Sequence, residues 1–401
     1  MLARLRRDLD LMPSPVEDRP GLLMRDPFHY SDATLIVPPE LVHCLEFFDG
    51  EKSELDLRQY LVQSSGQLDV NGLVDHLQQT LSRAGFLEDD TFGQIKEKRE
   101  SDFKAAPVRE PAHAGSGYPD DAAELSATFS EYLRGTSLPR EPGRTVRAIA
   151  APHVSPFGGV ETYRAAYSAL SSDDAEKTFI VLGTSHYGQP DRLGLTRKPF
   201  VTPLGETLID LGLVARLERE APGAIAEDYC HAVEHSIEFQ VVFLQHLFGP
   251  RIKIVPILCG SYARSLYLGG KPEDDDQVRR ALGVLGEIAA KESANVRWVL
   301  GVDMAHMGAR YGDRFEARAE QGEMGRVRER DLTRIASIEA GDARGFWEQV
   351  QENRDDLKWC GSAPIYTFLK AVPEARGRLL HYHQWNIDEQ SVVSFGALDF
   401  A

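Results

Sequence analysis

The sequence predicts an α/β fold in which helices flank a mostly parallel sheet. Apolar runs of strand length recur in the second half of the chain, at 146–151, 178–183, 252–258 and 297–302. Segments of helix length separate these runs, at 163–170, 236–247 and 276–291. Such an alternation is typical of βαβ units, which build parallel sheets. The run 178–183 is continuously apolar, as expected of a strand that is covered on both faces.

Two more strands are predicted near the end of the chain, at 378–382 and 391–400. They follow each other without a helix between them. We therefore expect them to pair in an antiparallel manner at an edge of the sheet.

The first 95 residues predict a separate small α+β unit. Two short strands, at 22–26 and 33–37, precede three helical segments. This order resembles a small winged-helix unit, most closely the PqqD-like peptide-binding modules, and the resemblance implies a peptide-binding or docking role. The charged run 96–100, followed by Pro107 and Pro111, predicts a linker at 96–110. The α/β domain would then span 111–401.

Composition excludes several classes of function. The formal net charge of −17 repels phosphate backbones and anionic lipid, so we expect no nucleic-acid or membrane partner and disfavour a DNA-binding regulator. No apolar stretch approaches the roughly 18–20 residues that cross a bilayer. Four cysteines without a CxxC pair give no zinc knuckle and favour a cytoplasmic location. The GxSxG elbow, the Walker A loop and a GxGxxG after the first strand are all missing from the sequence.

Histidines follow the predicted strands. His153, His186 and His306 come directly after the runs 146–151, 178–183 and 297–302. In open α/β sheets, ligands bind beyond the carboxyl ends of the strands, where residues distant in sequence meet. A single histidine at a strand end is more often a hydrogen-bonded structural residue than a ligand. Three in one sheet favour a site for a divalent transition metal.

Two acidic residues and one further histidine lie near these positions in the sequence. Glu234 precedes His235 at the start of a predicted helix, and Asp303 follows the strand run 297–302. We expect all three to lie at the same edge of the sheet.

Other histidines and cysteines are weaker candidates. Cys360 precedes a helix and is either a reactive thiol or a buried structural one, and Cys230 is a candidate for the pocket rim. His113 is structural or rims the pocket. Half-exposed sheet positions are expected for His381 and His383. Surface positions are expected for His29, His43 and His76.

At these residues the sequence resembles the MEMO family. The Glu234-His235-Ser236-Ile237-Glu238 segment is identical to a family motif, and the other matching segments occur in the family's order along the predicted α/β domain. These other segments are Ala112–Tyr118, Pro152-His153 with Gly158, Gly183-Thr184-Ser185-His186, Pro203-Leu204-Gly205, Asp303–Gly308, and Cys360-Gly361 with Pro364-Ile365.

The resemblance implies a fold similar to that of class III extradiol dioxygenases, which are non-haem iron enzymes with a metal site at strand ends. Family members bind copper or iron and support redox chemistry. Bacterial members belong to the AmmeMemoRadiSam system as protein B. A radical SAM enzyme and an AMMECR-like protein are therefore the implied partners.

The resemblance also assigns ligands. By motif, the two histidine ligands of the family fall on His153 and His186, and its cysteine ligand falls on Ala305. We therefore expect the neighbouring His306 to supply the third ligand. His235 occupies the position of the dioxygenase acid/base histidine.

Two functional hypotheses follow. In the first, the chain is a metal-dependent redox or oxygen-activating enzyme: His153 and His186 bind Fe(II) or copper, and His306 or water completes the site. His235 then shuttles a proton, and Glu234 or Asp303 orients it. Without a thiolate at position 305, the site would favour Fe(II) or Zn(II) over Cu(I).

In the second hypothesis the chain is a non-catalytic binding protein. Its pocket holds a peptide tail or a small anion. The N-terminal unit recruits a peptide or a radical SAM partner.

Overall fold

The structure, a computed structural model, describes residues 1–14, 16, 18–135, 144–226 and 228–401. The chain divides into two compact units, Met1–Ala106 and Pro107–Ala401. Each unit has a hydrophobic core of its own. Among the described residues, no helix combines the length and the apolar character that crossing a membrane requires.

The N-terminal unit contains a three-stranded antiparallel sheet with helices. Its elements are β1 (Asp10–Pro13), β2 (Leu22–Arg25), β3 (Thr34–Val37), α1 (Pro39–Val42), α2 (Glu54–Ser65), α3 (Asn71–Arg83) and α4 (Asp90–Ala105). The strands lie in the order β1-β2-β3. The pattern predicted β2, β3 and three helices, α1 to α3, whereas the short strand β1 and the helix α4 were not predicted. The winged-helix interpretation of this unit stays a prediction.

Most of the predicted linker at 96–110 lies in helix α4. The Asp89 side chain begins this helix by accepting a hydrogen bond from the backbone N of Phe92 at 2.9 Å. Farther along, Lys98 and Asp102 form an i,i+4 ion pair at 2.6 Å. Charged residues at this spacing stabilise an exposed helix, so the charged run continues the helix instead of ending it.

The C-terminal unit is built on one large sheet. Its strands are β4 (Ala148–Ala151), β5 (Thr178–Thr184), β6 (Leu193–Leu195), β7 (Val201–Thr202), β8 (Gly205–Glu206), β9 (Leu208–Ile209), β10 (Ala224–Ala226), β11 (Lys253–Cys259), β12 (Val296–Gly301), β13 (His306–Gly308), β14 (Gly377–Asp388) and β15 (Ser391–Phe400). Within the described residues, ten of these form the sheet, in the order β10-β6-β11-β5-β12-β4-β15-β13, with β14 beside β15 and β9 beside β11; β7 and β8 form a separate hairpin.

Helices cover both faces of this sheet. They are α5 (Ala122–Tyr132), α6 (Val160–Tyr167), α7 (Leu211–Glu220), α8 (Asp228–Val233), α9 (His235–Phe248), α10 (Ala263–Leu268), α11 (Asp276–Lys291), α12 (Glu323–Glu339), α13 (Ala343–Gln351) and α14 (Ser362–Ala371). Alternate residues of β4 illustrate the layering: Ala148 and Ala150 join one core cluster, and Ile149 and Ala151 join the other. This is the period-2 alternation of a strand buried on both faces.

The predicted mixed α/β fold, with a large central sheet flanked by helices, is confirmed. The central strands β11, β5, β12 and β4 are parallel. The last two strands pair antiparallel as expected. However, β15 does not lie at an edge, because it also pairs with β4.

Candidate metal centre

The carboxyl ends of three neighbouring parallel strands define the site. In the sheet register, Gly301 of β12 lies opposite Ala151 of β4 on one side and Gly183 of β5 on the other. His153 follows two residues after Ala151, and His186 follows three after Gly183. Residues far apart in sequence are therefore brought to one edge of the sheet, as the strand pattern predicts.

Two glycines let helix α9 approach these strand ends closely. A Cβ atom added to Gly301 would lie 2.1 Å from the backbone oxygen of Ser236, and one added to Gly183 would lie 2.5 Å from its Oγ. The Ser236 hydroxyl donates to the backbone oxygen of Thr184 at 2.9 Å. The first turn of α9, which carries His235, is thereby fixed against the sheet.

Three imidazole rings meet at this edge. The ring centroids of His153 and His186 are 5.3 Å apart, and that of His235 lies 5.1 Å from each of them. His186 and His235 are stacked with an interplanar angle of 11°, whereas the ring of His153 stands across both. The convergence expected from the sequence is thus present for these three histidines.

The orientation of His153 is set by strand β12. Its Nδ1 donates to the backbone oxygen of Gly301 at 2.9 Å. Its backbone N donates to Oδ1 of Asp303 at 2.9 Å. The side chain is almost wholly buried, with 2% exposure. Because Nδ1 is occupied, Nε2 is the atom that faces the centre of the site.

Glu234 organises His186 and His235. As the N-cap of α9, its carboxylate accepts from the backbone N of His235 at 2.9 Å and of Ser236 at 3.1 Å. It also accepts from the backbone N of His186 at 3.0 Å, and both its oxygens lie 3.1 Å from Nδ1 of that ring. Nδ1 of His235 lies 3.3 Å from the same carboxylate. The carboxylate therefore fixes two histidines at once.

A thiol completes the group, and it comes from Cys360. Sγ of Cys360 lies 3.2 Å from Nε2 of His153. One ligand atom each from His153, His186 and Cys360 lie within 4.8 Å of one another. A second such group, which shares His186, adds Glu234 and His235.

The motif comparison places the family's cysteine ligand at position 305, whereas the thiol that lies beside the two histidines belongs to Cys360. Ala305 is buried, and its backbone pairs with Ser394 of β15. The thiol comes from the segment just before helix α14. The signal in the sequence is the resemblance of the Cys360-Gly361 segment to a family motif. Gly361 is required there, because a Cβ would lie 2.6 Å from the backbone oxygen of Asp303.

His306, the expected third ligand, belongs to neither metal-sized group. Its Nδ1 faces the backbone oxygens of Met304 at 2.9 Å and Lys358 at 3.0 Å. Its ring packs across that of Tyr311 at 5.0 Å. The residue lies in β13, which pairs with β15. Its contact with Lys358 turns it toward the loop that precedes Cys360.

Asp303 lies beside His153, as expected. Besides holding the backbone N of that residue, its Oδ2 lies 3.4 Å from Nε2. Asp303 is 2% exposed, so this carboxylate acts on the imidazole with little screening by solvent.

The charges of the site are strongly coupled. Burial would lower the pKa of His153, but Asp303 and Cys360 raise it to about 9. Burial would raise the pKa of the Cys360 thiol, but the fields of His153 and His306 and hydrogen bonds from His153 and His186 lower it to about 5. Without a metal, these two residues therefore form an imidazolium–thiolate pair at neutral pH.

The pKa values of the other three groups are shifted in different directions. Burial opposes protonation of His186, but Glu234 and Cys360 raise its pKa well above the usual range. Burial would raise the pKa of Glu234, but His186 and His235 hold it well below. For His235, burial and the neighbouring histidines outweigh Glu234 and lower the pKa, so this imidazole is neutral at pH 7.

A buried ion pair supports the turn that carries Glu234. Arg109 pairs with Glu238 of α9, and both are fully buried. Arg109 also donates to the backbone oxygens of His231 at 2.9 Å and Glu234 at 3.0 Å. His113 lies on this side, with its ring 5.6 Å from that of His235. It therefore borders the site.

The other candidates lie outside the group of three ligand atoms. Sγ of Cys230 contacts the backbone oxygen of Tyr187 at 3.4 Å. His381 pairs with Thr162 at 2.7 Å on strand β14, and His383 follows on the same strand. His29, His43 and His76 belong to the N-terminal unit.

Comparison with known proteins agrees with the motifs. A model of the Memo-like protein family matches residues 109–399. A MEMO1 family protein of Thermococcus kodakarensis is 31% identical over 306 residues, which cover 73% of this chain and 99% of that protein. One from Aquifex aeolicus is 29% identical over 293 residues, 73% of each chain. One from Thermus thermophilus is 25% identical over 354 residues, 85% of this chain and 96% of that protein.

The family match covers nearly all of the unit Pro107–Ala401, including every residue of the histidine and cysteine group. It also covers well over half of the chain. On this ground, the chain belongs to the Memo-like family.

Proposed function

We propose that His153, His186 and Cys360 hold a transition-metal ion, copper or iron, and that the chain carries out redox or oxygen-dependent chemistry there. The observation that supports this is the approach of Cys360 Sγ to within 3.2 Å of His153 Nε2, with a ligand atom of His186 within 4.8 Å of both. Two imidazoles and a thiolate are a typical donor set for these metals.

The donor atoms have the protonation states that such an ion requires, and they point toward one another. His153 and His186 both use Nδ1 in hydrogen bonds, to Gly301 and Glu234, which leaves Nε2 of each as the ligand atom. Metal-binding histidines commonly donate their second nitrogen to a carbonyl or carboxylate in this way. The low pKa of Cys360 supplies the thiolate that a metal requires.

The soft sulfur donor changes the expected metal preference. A site with imidazoles alone would favour Fe(II) or Zn(II). With Cys360 in place, the set also suits Cu(I). Binding would release the proton that His153 holds near neutral pH, so metal affinity should rise with pH.

When bound, the metal would supply electron transfer or oxygen activation. The chain's own residues orient the ligands and handle protons. Glu234 fixes His186 and His235 together. His235 is neutral and partly exposed, and its Nδ1 faces Glu234, so we propose that its other ring nitrogen accepts a proton from a bound substrate. Asp303 keeps His153 in place through its backbone N.

Metal analysis tests the proposal directly. Protein purified anaerobically and loaded with Cu(I) or Fe(II) should hold one ion per chain. His153→Ala, His186→Ala and Cys360→Ser should each lose most of it. His383→Ala is the matched control and should retain the ion, because this exposed histidine lies on strand β14 outside both groups. Equal metal content in all variants would contradict the assignment.

Redox chemistry needs its own measurement. Oxygen uptake by the loaded protein with ascorbate as reductant should exceed that of Cys360→Ser. Full metal occupancy without such uptake would support the metal site but contradict the proposed redox function.

A binding role is also proposed for the N-terminal unit, because residues 1–106 have their own core and lie before the family match. We propose that this unit recruits a peptide or a radical SAM partner. Co-elution of the purified full chain with a radical SAM enzyme or an AMMECR-like protein should depend on this unit and not on His153. Co-elution that is lost in His153→Ala would contradict it.

A further inference from the structure

A cavity opens directly on two of the proposed ligands. It has a volume of about 240 Å³ and lies between α10, α13 and the segment that leads into α14. His186 and Cys360 form one end of it. A molecule in this cavity would therefore lie beside the proposed metal ion.

The walls of the cavity are largely apolar. Four almost wholly buried apolar residues line it: Trp347, Val350, Trp359 and Ala363. Tyr267, with 58% exposure, stands at the mouth. Apolar walls with a few polar groups at one end are typical of small-molecule sites.

The charged groups on the wall already have partners. His186 Nδ1 lies 3.1 Å from Glu234, and Cys360 Sγ lies 3.2 Å from Nε2 of His153. Nζ of Lys358 lies 2.9 Å from Asp313, and Asp355 lies 2.8 Å from Arg334. Neither pair is therefore available to hold a charged ligand without breaking an existing contact. The chain as a whole is strongly acidic, with a net charge of −17, which further disfavours anions.

Three of the hydrogen-bonding groups on the wall are engaged as well. The indole N–H of Trp347 donates to Ser265 at 2.9 Å, and that of Trp359 donates to Asp331 at 2.7 Å. The Thr184 hydroxyl donates to the backbone oxygen of Cys360 at 3.1 Å. The end lined by His186 and Cys360 is thus the part of the cavity that best suits a polar atom of a bound molecule.

We infer that this cavity receives a small, uncharged and mostly apolar molecule whose one polar atom faces His186 and Cys360. The inference rests on the proposed function, since that polar atom would meet the metal. An apolar cavity of about 150 Å³ is enough to bind benzene, so 240 Å³ suits a singly substituted ring or a short branched chain. This volume is below the roughly 300–1,000 Å³ that is typical of sites for drug-sized ligands.

A series of matched probes tests the charge preference. Benzyl alcohol, benzylamine and benzoate share a ring and differ in charge at pH 7. Titrations followed by saturation-transfer NMR should show benzyl alcohol binding at least about tenfold more tightly than either ion, because a buried charge without a partner is costly. Equal or tighter binding of benzoate or benzylamine would overturn the inference.

Two tryptophan substitutions, one inside the cavity lining and one outside it, test where the probe binds. Ser261 is exposed and lines the cavity, so Ser261→Trp should obstruct the mouth and weaken benzyl alcohol binding about tenfold or more. Leu268→Trp adds the same ring on α10 at a residue that is 81% exposed and does not line this cavity, and it should change binding less than about twofold. Unchanged binding in Ser261→Trp would place the probe elsewhere.

Each titration is run on the full chain, both metal-free and metal-loaded. If no metal binds, the proposed function fails, and the metal-free titrations still decide whether the cavity prefers an uncharged ligand. If metal binds but benzyl alcohol binds neither form, the cavity inference fails while the metal site stands.

Discussion

Both carboxylate oxygens of Glu234 lie 3.1 Å from Nδ1 of His186. The same carboxylate accepts three backbone N–H groups, from His186, His235 and Ser236. Glu234 is 1% exposed, so these contacts are not screened by water. One buried side chain therefore caps a helix and orients His186, a proposed ligand.

Glu234→Gln should weaken metal binding about 10- to 100-fold, the usual cost of losing a group that orients a ligand. An amide keeps the shape but has one oxygen, and its NH₂ group would face a backbone donor. We also expect a loss of about 1–3 kcal/mol in the free energy of unfolding. Competitive metal titration and urea unfolding measure the two effects.

Glu176→Gln is the control, because that residue is exposed and lies away from the site. It should change neither quantity. If Glu234→Gln loses stability but keeps its metal affinity, Glu234 only caps the helix.

The Cys360 thiol should be reactive at unusually low pH in the metal-free protein. Its pKa of about 5 means that the thiolate fraction, and hence the rate of alkylation by iodoacetamide, rises with a midpoint near pH 5. His153→Gln removes the nearest positive charge and should move the midpoint upward. Mass spectrometry of the modified peptide against pH measures the midpoint.

Bound metal should protect Cys360 from this reaction, and Cys360→Ser should remove the signal. A midpoint above pH 8, near that of a free cysteine, would show that His153 does not stabilise the thiolate.

Gly301→Ala should destabilise the C-terminal unit, because the added Cβ would lie 2.1 Å from the backbone oxygen of Ser236. Relief requires α9 to move away from the sheet, at a cost of about 1–3 kcal/mol or more. The displaced helix also carries Glu234 and His235, so metal affinity should fall as well. Thermal unfolding and metal titration test both.

Gly283→Ala is a matched control in helix α11. Nothing lies within 4 Å of a Cβ added there. An alanine in a helix is more favourable than a glycine, so this variant should gain about 0.5–1 kcal/mol. Similar behaviour of the two variants would argue against the close approach of α9.

The sequence could predict those parts of the fold whose pattern is local. The longest apolar runs became β5, β11 and β12 with ends within one or two residues, and α11 spans the predicted 276–291. Strands β6, β9, β10 and β13 have two or three residues, too few to show a period. Helix α4 covers most of 96–110, where the sequence predicts a linker, because exposed helices and linkers share a composition.

The site was predictable where it depends on strand ends. His153 and His186 follow apolar strands, so the rule for parallel sheets places them. Cys360 follows a loop in which Asn353, Arg354, Asp355 and Lys358 all have positive φ. Tertiary contacts hold such a loop, and no spacing in the sequence connects it to the sheet.

Stability should fall on acidification because of His231. This residue is 1% exposed; its Nε2 donates to the backbone oxygen of Gly194 at 3.1 Å, and its Nδ1 has no partner among the described residues. Burial lowers its pKa to about 4. Between pH 6.5 and 4, the unfolded chain therefore binds a proton that the folded chain refuses. This costs about 3 kcal/mol by pH 4, and the stability is regained as pH rises.

His231→Asn isolates this effect, because it keeps an N–H donor and does not titrate. The difference in unfolding free energy between wild type and variant should be constant above pH 7 and shift against the wild type as pH falls through 6.5 to 4. If the difference in unfolding free energy does not change with pH, His231 has the same pKa in the folded and unfolded protein.

The last prediction concerns Asp331, which anchors the residue before Cys360. Buried in α12, it accepts hydrogen bonds from Trp359 Nε1 at 2.7 Å, the Tyr382 hydroxyl at 2.7 Å and the Ser394 hydroxyl at 2.6 Å. Asp331→Leu leaves these three donors unsatisfied and should cost about 3 kcal/mol or more. Asp331→Asn should cost only about 1 kcal/mol, because hydroxyls can turn to accept from the amide while Trp359 keeps its oxygen.

If Asp331 also holds Cys360 in position, metal affinity should follow the same order, with wild type tightest, Asp331→Asn intermediate and Asp331→Leu weakest. Asp356→Asn is the control, since that carboxylate pairs with Arg330 at the surface and should shift stability by less than about 0.5 kcal/mol. A stable Asp331→Asn variant with unchanged metal affinity and a destabilised Asp331→Leu variant that still binds metal normally would show that the thiolate position does not depend on this anchor. Weakened metal binding in Asp331→Leu under conditions where the protein remains folded would show that it does.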